Sequence, residues 1–176
     1  WQVPEAAEAM KPLIGAQTVV LSLQNGVDAP SQLVAALGRE HVLGGLCRIS
    51  VLIAAPGVIR HVAIPPTIAF GELDARPSAR VESLRQVFAR CQGLTVNVPP
   101  DINVALWEKF IFIASVSGLG AAARQPIGGF RSLPETRRLL LAALEEVAVV
   151  ARAKGIALAD DAVSRTLAII DGLPPA

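Results

Sequence analysis

The sequence predicts an α/β segment followed by an all-helical one, and three observations carry that prediction. Residues 18–23 form a nearly continuous β-branched and apolar run, ended by Gln24-Asn25-Gly26 and followed by a helical segment. Strand, polar turn and helix in that order make one β–α unit of a doubly wound sheet, whose strands are covered on both faces. Between Val42 and Gly71 short apolar runs are punctuated by Pro56-Gly57 and Pro65-Pro66, the signature of an antiparallel meander. After Pro99-Pro100 the strand signals stop and helical spacing takes over. The boundary goes there, dividing the chain into residues 1–99 and 100–176.

Taken in order, residues 4–14 read as a short helix with Pro4 tolerated in its first turn and Gly15 as its stop. The strand over residues 18–23 leads through the turn to a helix from about Ala29 to Leu37. Residues 46–53, 58–62 and 67–71 are expected as strands, the last two separated by the proline pair. A helix over about 78–91 places Val81, Leu84, Val87 and Phe88 at helical spacing, and residues 95–98 give a last short strand. Asp101 is positioned to cap a long helix reaching about Arg124. The glycine-rich stretch Gln125 to Arg131 reads as a loop, and Ser132-Leu133-Pro134-Glu135 as a capping box. The helix it opens runs to about Lys154, with Gly155 as its C′ residue, and a final helix covers about 159–170.

Composition narrows the function classes. Of 176 residues 52% are hydrophobic and 18% charged, against ~45–50% and ~25% in average domains, which excludes a disordered chain. Sixteen basic and fifteen acidic residues, with no basic stripe interleaved with aromatics, argue against nucleic acid. The most apolar stretch, Phe110 to Ala123, has 14 residues, short of the ~20 that a membrane span requires. Cys47 and Cys91 form neither a disulfide framework nor a metal-ligand spacing; no metal site is expected, and they read as small buried apolar residues of a reducing compartment. The sequence opens on Trp1 and closes on a turn-like Asp171 to Ala176, so it reads as the middle of something longer.

Few residues invite chemistry. Asn25 lies beyond the carboxyl end of a strand, where open α/β sheets bind ligands, and offers donors and an acceptor beside a glycine that lets backbone approach. Asn-Gly is also an ordinary turn dipeptide. Lys109 sits in an apolar helix before Phe110-Ile111-Phe112-Ile113; desolvation there would lower its pKa and ready it for proton transfer. The plainer alternative is a lysine snorkelling to solvent beside Glu108. Helical spacing sets Lys109, Ile113, Ser117 and Gly120 on one stripe. Arg124 could grip a carboxylate or complement the helix dipole. His41 and His61 have no partner at catalytic or metal spacing and read as structural, and Glu145-Glu146 reads as a solvated helix face. Gly44-Gly45 lacks the spacing of a dinucleotide fingerprint.

In this order the segments resemble the ketopantoate reductase (2-dehydropantoate 2-reductase) family. The resemblance is carried by Trp1-Gln2 and its helix, Val19 to Gly26, Leu43-Gly44-Gly45, Pro56 to His61, Phe70-Gly71-Glu72, Leu106-Trp107-Glu108-Lys109 and the Glu145 to Gly155 helix. It implies that residues 1–99 are the C-terminal part of a Rossmann-type dinucleotide-binding domain. Residues 100–176 would be an incomplete helical substrate and dimerisation domain, resembling that of 6-phosphogluconate dehydrogenase. It further implies NADPH as cofactor, a small 2-keto acid as substrate, a cytoplasmic homodimer formed through the helical domain, and no membrane or nucleic-acid partner. Lys109 would be the general acid, and Asn25 would contact the nicotinamide ribose and the substrate. Val51 would lie on the cofactor side, and Ser117 and Arg124 on the substrate side. Family members carry asparagines where this chain has Ile113 and Ser117, so the resemblance implies ketopantoate or a related 2-keto acid without choosing between them. The Gly-x-Gly-x-x-Gly unit expected ahead of Trp1 and the Ser-Met segment and glutamate expected after Ala176 are not in the sequence, so this chain alone is expected not to turn over. A second reading makes the chain a non-catalytic relative whose long helices serve assembly; it expects Lys109 to be exposed or paired with Glu108.

Overall fold

The computed structural model describes residues 2–175; Trp1 and Ala176 lie outside the described residues. The chain divides into two compact units, residues 1–24 with 28–102, and residues 25–27 with 103–176.

The first unit opens with α1 (Val3–Met10), extended by a 3-10 turn, Lys11–Leu13. Ala7 of α1 packs with Leu33 of α2 (Ala29–Leu37) and with Val42. A four-stranded sheet runs in the order β1 (Val20–Leu21), β2 (Val42–Ala55), β3 (Val58–Gly71), β4 (Thr95–Asn97). β1 lies parallel to β2, β2 antiparallel to β3, and β3 parallel to β4. β1 is shorter than the run 18–23 because Thr18 belongs to the preceding turn. Its hydroxyl donates to the Leu13 carbonyl (3.3 Å) and accepts from the Gly15 amide (3.0 Å). His41 Nδ1 donates to the Thr18 carbonyl (3.0 Å), a structural role.

β2 and β3 form one long hairpin around Gly57, whose φ of +76° glycine tolerates. Instead of two strands flanking the proline pair, β3 runs unbroken from Val58 to Gly71. Its ladder, however, jumps from Thr67 opposite Arg48 to Val62 opposite Ser50, so residues 63–66 face Ile49 alone. Pro65 and Pro66 have no amide hydrogen to donate, which is why the pairing fails there. His61 Nε2 spans the bulge to the Ile64 carbonyl (2.7 Å). At the hairpin base Gly44 and Gly45 are packed too tightly for a side chain: a Cβ on Gly45 would lie 2.1 Å from Leu21 Cδ1 and 3.0 Å from the Ser22 carbonyl.

α3 (Ala79–Phe88) is capped by Ser78, whose hydroxyl accepts from the Val81 amide (3.2 Å). It packs Val81, Leu84 and Phe88 onto Leu43, Ile68 and Phe70, with the Phe70 and Phe88 rings 5.7 Å apart. Arg80 staples this corner. It forks onto both Glu72 oxygens (2.6 and 2.5 Å) and donates to the Glu40 and Val42 carbonyls. The guanidinium holds the Glu72 carboxyl below the usual carboxylate range.

The second unit is helical: α4 (Ile102–Ala123, its first residue counted with the first unit), α5 (Ile127–Ser132), α6 (Pro134–Ala153) and α7 (Ala162–Gly172). Trp107, Ile111, Phe130, Leu140, Leu144, Ala148 and Ile170 form its core. α5 replaces the expected glycine-rich loop. Gly128 can approach the chain's end closely, donating to the Pro175 carbonyl (3.0 Å), where a Cβ would be 2.5 Å from that oxygen. The expected capping box does not form. Ser132 donates back to Gly128 (2.7 Å), closing α5, and Leu133 takes the α6 N-cap position without a side-chain cap. Gly155 follows α6 at φ +80°. α7 starts later than residue 159, after a turn in which the Ala162 amide bonds to Ala159. It continues through Asp171, gripped by Arg137 at 2.7 and 2.8 Å. Arg131 closes its C-terminus by donating to the Ile170 and Leu173 carbonyls (2.6 and 2.7 Å).

Candidate active site

α4 carries most of the candidate residues, and its core face decides how they are aimed. Trp107, Ile111 and Ser115 are buried at successive turns, with Trp107 edge-on to Phe110 at 5.6 Å. At about 100° per residue Lys109 falls roughly 160° from both Trp107 and Ile111. It is half-buried on the side of α4 away from that core face. Ile113, half-buried, and Ser117, exposed, continue its stripe at successive turns.

Asn25 reaches this unit by a short insertion. Residues 25–27 group with the helices and not with the flanking α/β residues, because Val27 packs against the cluster of Trp107 and Ile111. The turn can be made because Gly26 takes φ +111°, and a Cβ there would meet nothing within 4 Å. That leaves an exposed amide side chain, Asn25, next to open backbone. Asn25, Lys109 and Ser117 therefore belong to one unit, although the first two are far apart in sequence.

Arg124 stands apart from them along the chain. It follows the last turn of α4, exposed, with a left-handed φ of +52°. At 1.5 Å per residue it lies about 22 Å along the axis from Lys109. Ser117 lies about 12 Å from Lys109 by the same geometry. Val51 belongs to the first unit, paired with His61 in the distal half of the hairpin, and is 48% exposed.

Sequence reasoning missed the partner of Glu108. Arg165 of α7 donates to it at 2.8 Å and to Asp161 at 3.0 Å, so the carboxylate next to Lys109 is tied to α7. Nothing local in sequence signals that pairing. It missed Ser115 too, whose buried hydroxyl lacks a hydrogen-bond partner among the described residues. Gly118-Leu119-Gly120, the sequence's one Gly-x-Gly, lies inside α4 and so is no phosphate loop. Among the described residues no group of three or more His, Cys, Asp or Glu could hold a metal ion; the two cysteines are not buried as expected, since Cys47 is half-buried and Cys91, beyond the end of α3, is exposed. A shallow depression follows the outer face of α6, lined by Ala142, Glu145, Glu146, Val149 and Val150. α4 alone among the described helices is long and apolar enough to cross a membrane; its Trp107 and Ile111 belong to the helical core.

The comparisons with known proteins match this architecture from end to end. The family model "Ketopantoate reductase PanE/ApbA" matches residues 1–75, and "Ketopantoate reductase PanE/ApbA C terminal" matches residues 101–176. The chain belongs to the ketopantoate reductase family. Its architecture is the remainder of a Rossmann-type domain followed by the helical C-terminal domain of this family. The uncharacterized oxidoreductase YkpB of Bacillus subtilis is 28% identical over 156 residues, covering 89% of this chain and 51% of that protein. The 2-dehydropantoate 2-reductase of Halobacterium salinarum is 29% identical over 147 residues, covering 84% and 48%. The crystal structure of 2-dehydropantoate 2-reductase from Porphyromonas gingivalis W83 superposes with a TM-score of 0.88 at 28% identity, covering 98% of this chain and 59% of that one. The chain spans about half the length of the curated relatives it matches.

Proposed function

We propose that the protein containing this chain reduces a small 2-keto acid, ketopantoate or a related compound, to the 2-hydroxy acid with NADPH. The observation that carries the reading is the seating of Asn25-Gly26-Val27 in the unit that also carries Lys109. An amide beside a glycine with open space around its Cα fits the nicotinamide ribose and a substrate oxygen. The residues that would cradle the pyrophosphate are not in this sequence, which has no Gly-x-Gly-x-x-Gly turn between strand and helix. When bound, the reduced nicotinamide supplies hydride to the keto carbon. Lys109 places positive charge where the oxyanion forms and donates its Nζ proton to that oxygen, an action worth ~10²–10⁴-fold. Ser117 adds a hydroxyl on the substrate side of the same stripe, and Val51 belongs to the cofactor side. Cytoplasmic location and a homodimer through the helical domain complete the reading. The exposed Leu139, Val149 and Val150 of α6 favour that dimer, and they equally fit the second reading, a non-catalytic assembly module.

Kinetics of the full-length protein separate the two. With a panel of small 2-keto acids and NADPH or NADH, Lys109→Ala should lower kcat by at least about two decades. Cofactor affinity should change little, and the helix should persist because alanine is the best helix former. A variant with near-normal kcat would leave Lys109 a snorkelling side chain, and a wild type that reduces no keto acid would favour assembly.

A further inference from the structure

We infer that the substrate's group beyond the keto carbon is a hydrocarbon branch without a hydroxyl, and that Ile113 is the residue that selects it. The inference rests on the reading of Lys109 as the acid at the keto oxygen. Around Lys109 the positions one turn away on α4, before and after, are Ala105, Leu106, Phe112 and Ile113. All four end in carbon. Leu106 is buried and Phe112 packs against the helical core, whereas Ile113 lies outside that core cluster, half-buried on the Lys109 stripe. Ala105, also half-buried and outside that cluster, offers only a methyl group, so Ile113 is the larger apolar surface next to the acid. The following position on the stripe, Ser117, is about 12 Å from Lys109 along the axis. A substituent two or three bonds from the keto carbon comes alongside Ile113 and falls short of Ser117. A hydroxyl there would lose its water and find no partner among Ala105, Leu106, Phe112 and Ile113, while methyl groups would gain contact.

Trimethylpyruvate and ketopantoate differ by one hydroxyl on that branch, so they form a matched pair. In the full-length protein, kcat/KM should favour trimethylpyruvate by about tenfold. Ile113→Asn, which supplies an amide one turn from the lysine, should pull the ratio back by at least about tenfold, and Ile113→Val should leave it near wild type. Calorimetric binding of the two acids should give a ratio of the same sign without turnover. A wild type that prefers ketopantoate overturns the inference while leaving 2-keto acid reduction standing, as does a ratio unmoved by a folded Ile113→Asn. Failure to reduce either acid, or any other 2-keto acid, removes the reduction reading and this inference together. If Ile113→Asn does not fold, the wild-type ratio still decides.

Discussion

In α4, Trp107 and Ile111 pack into one core with residues of α5, α6 and α7, with Ile111 fully buried. In the distal half of the β2–β3 hairpin Ile53 is 77% exposed and Ile59 63%, although both segments are equally apolar on paper. The difference lies in what each element is given to pack against. A helix in an antiparallel bundle has neighbours around its apolar face. A two-stranded ribbon has one partner strand and two faces that no third layer covers. Beyond Val42 and Leu43 on β2, and below Thr67 on β3, the two strands pair only with each other among the described residues. An apolar sequence thus states a demand for a partner, and topology decides whether it is met within the unit.

The comparison breaks most sharply at Ile111. Ile111→Ala empties a fully enclosed site and should cost about 3–4 kcal/mol of stability, read as a lowered denaturant midpoint. A loss below about 1 kcal/mol would mean that the helical core relaxes around the gap. Next comes Arg80→Ala, which removes a partly buried fork and leaves Glu72 without its cation. About 2 kcal/mol should be lost. The Glu72 carboxyl titrates lower in the folded chain than in the unfolded one. The pair's contribution is therefore complete above the ordinary carboxylate pKa and fades as pH falls through the lowered folded value. The stability difference between wild type and Arg80→Ala should shrink in acid, leaving the share carried by the Glu40 and Val42 carbonyls, and an unchanged difference there would show that Glu72 is not the group responsible. The smallest effect belongs to the ribbon. Ile53→Ala should shift stability by no more than about 0.5 kcal/mol, and a larger loss would show that its tip is covered in solution.

Much of this architecture is legible in the residues, for reasons that differ by place. Ser78 signals its cap and Gly155 its helix end because each acts within a few residues of itself. The parallel placement of β1 beside β2 follows from the strand–turn–helix order. Three features were not legible, two set by distant partners and one by a local competition for a single hydroxyl. Residues 127–132 become helical because Gly128 meets Pro175, Ser132 is drawn back to Gly128 instead of capping α6, and Arg165 claims Glu108 across 57 positions. In the candidate site, Lys109 and the stripe it heads could be read from helical spacing. That Asn25 joins the same unit could not, since it depends on Val27 finding the Trp107 and Ile111 cluster.

The proline pair in β3 has a consequence for the molecule's life among its copies. A long apolar ribbon with open edges invites a strand from another chain to add to it, the first step toward aggregates. Pro65 and Pro66 interrupt that invitation, since neither offers an amide hydrogen and the bulge at 63–66 twists the edge out of line. Arg48 and Arg60, both exposed, set like charges on the same ribbon, so that two such edges brought together would repel. The ladder gives up regular pairing over those four residues, and the chain gains an edge on which a neighbouring molecule finds no template.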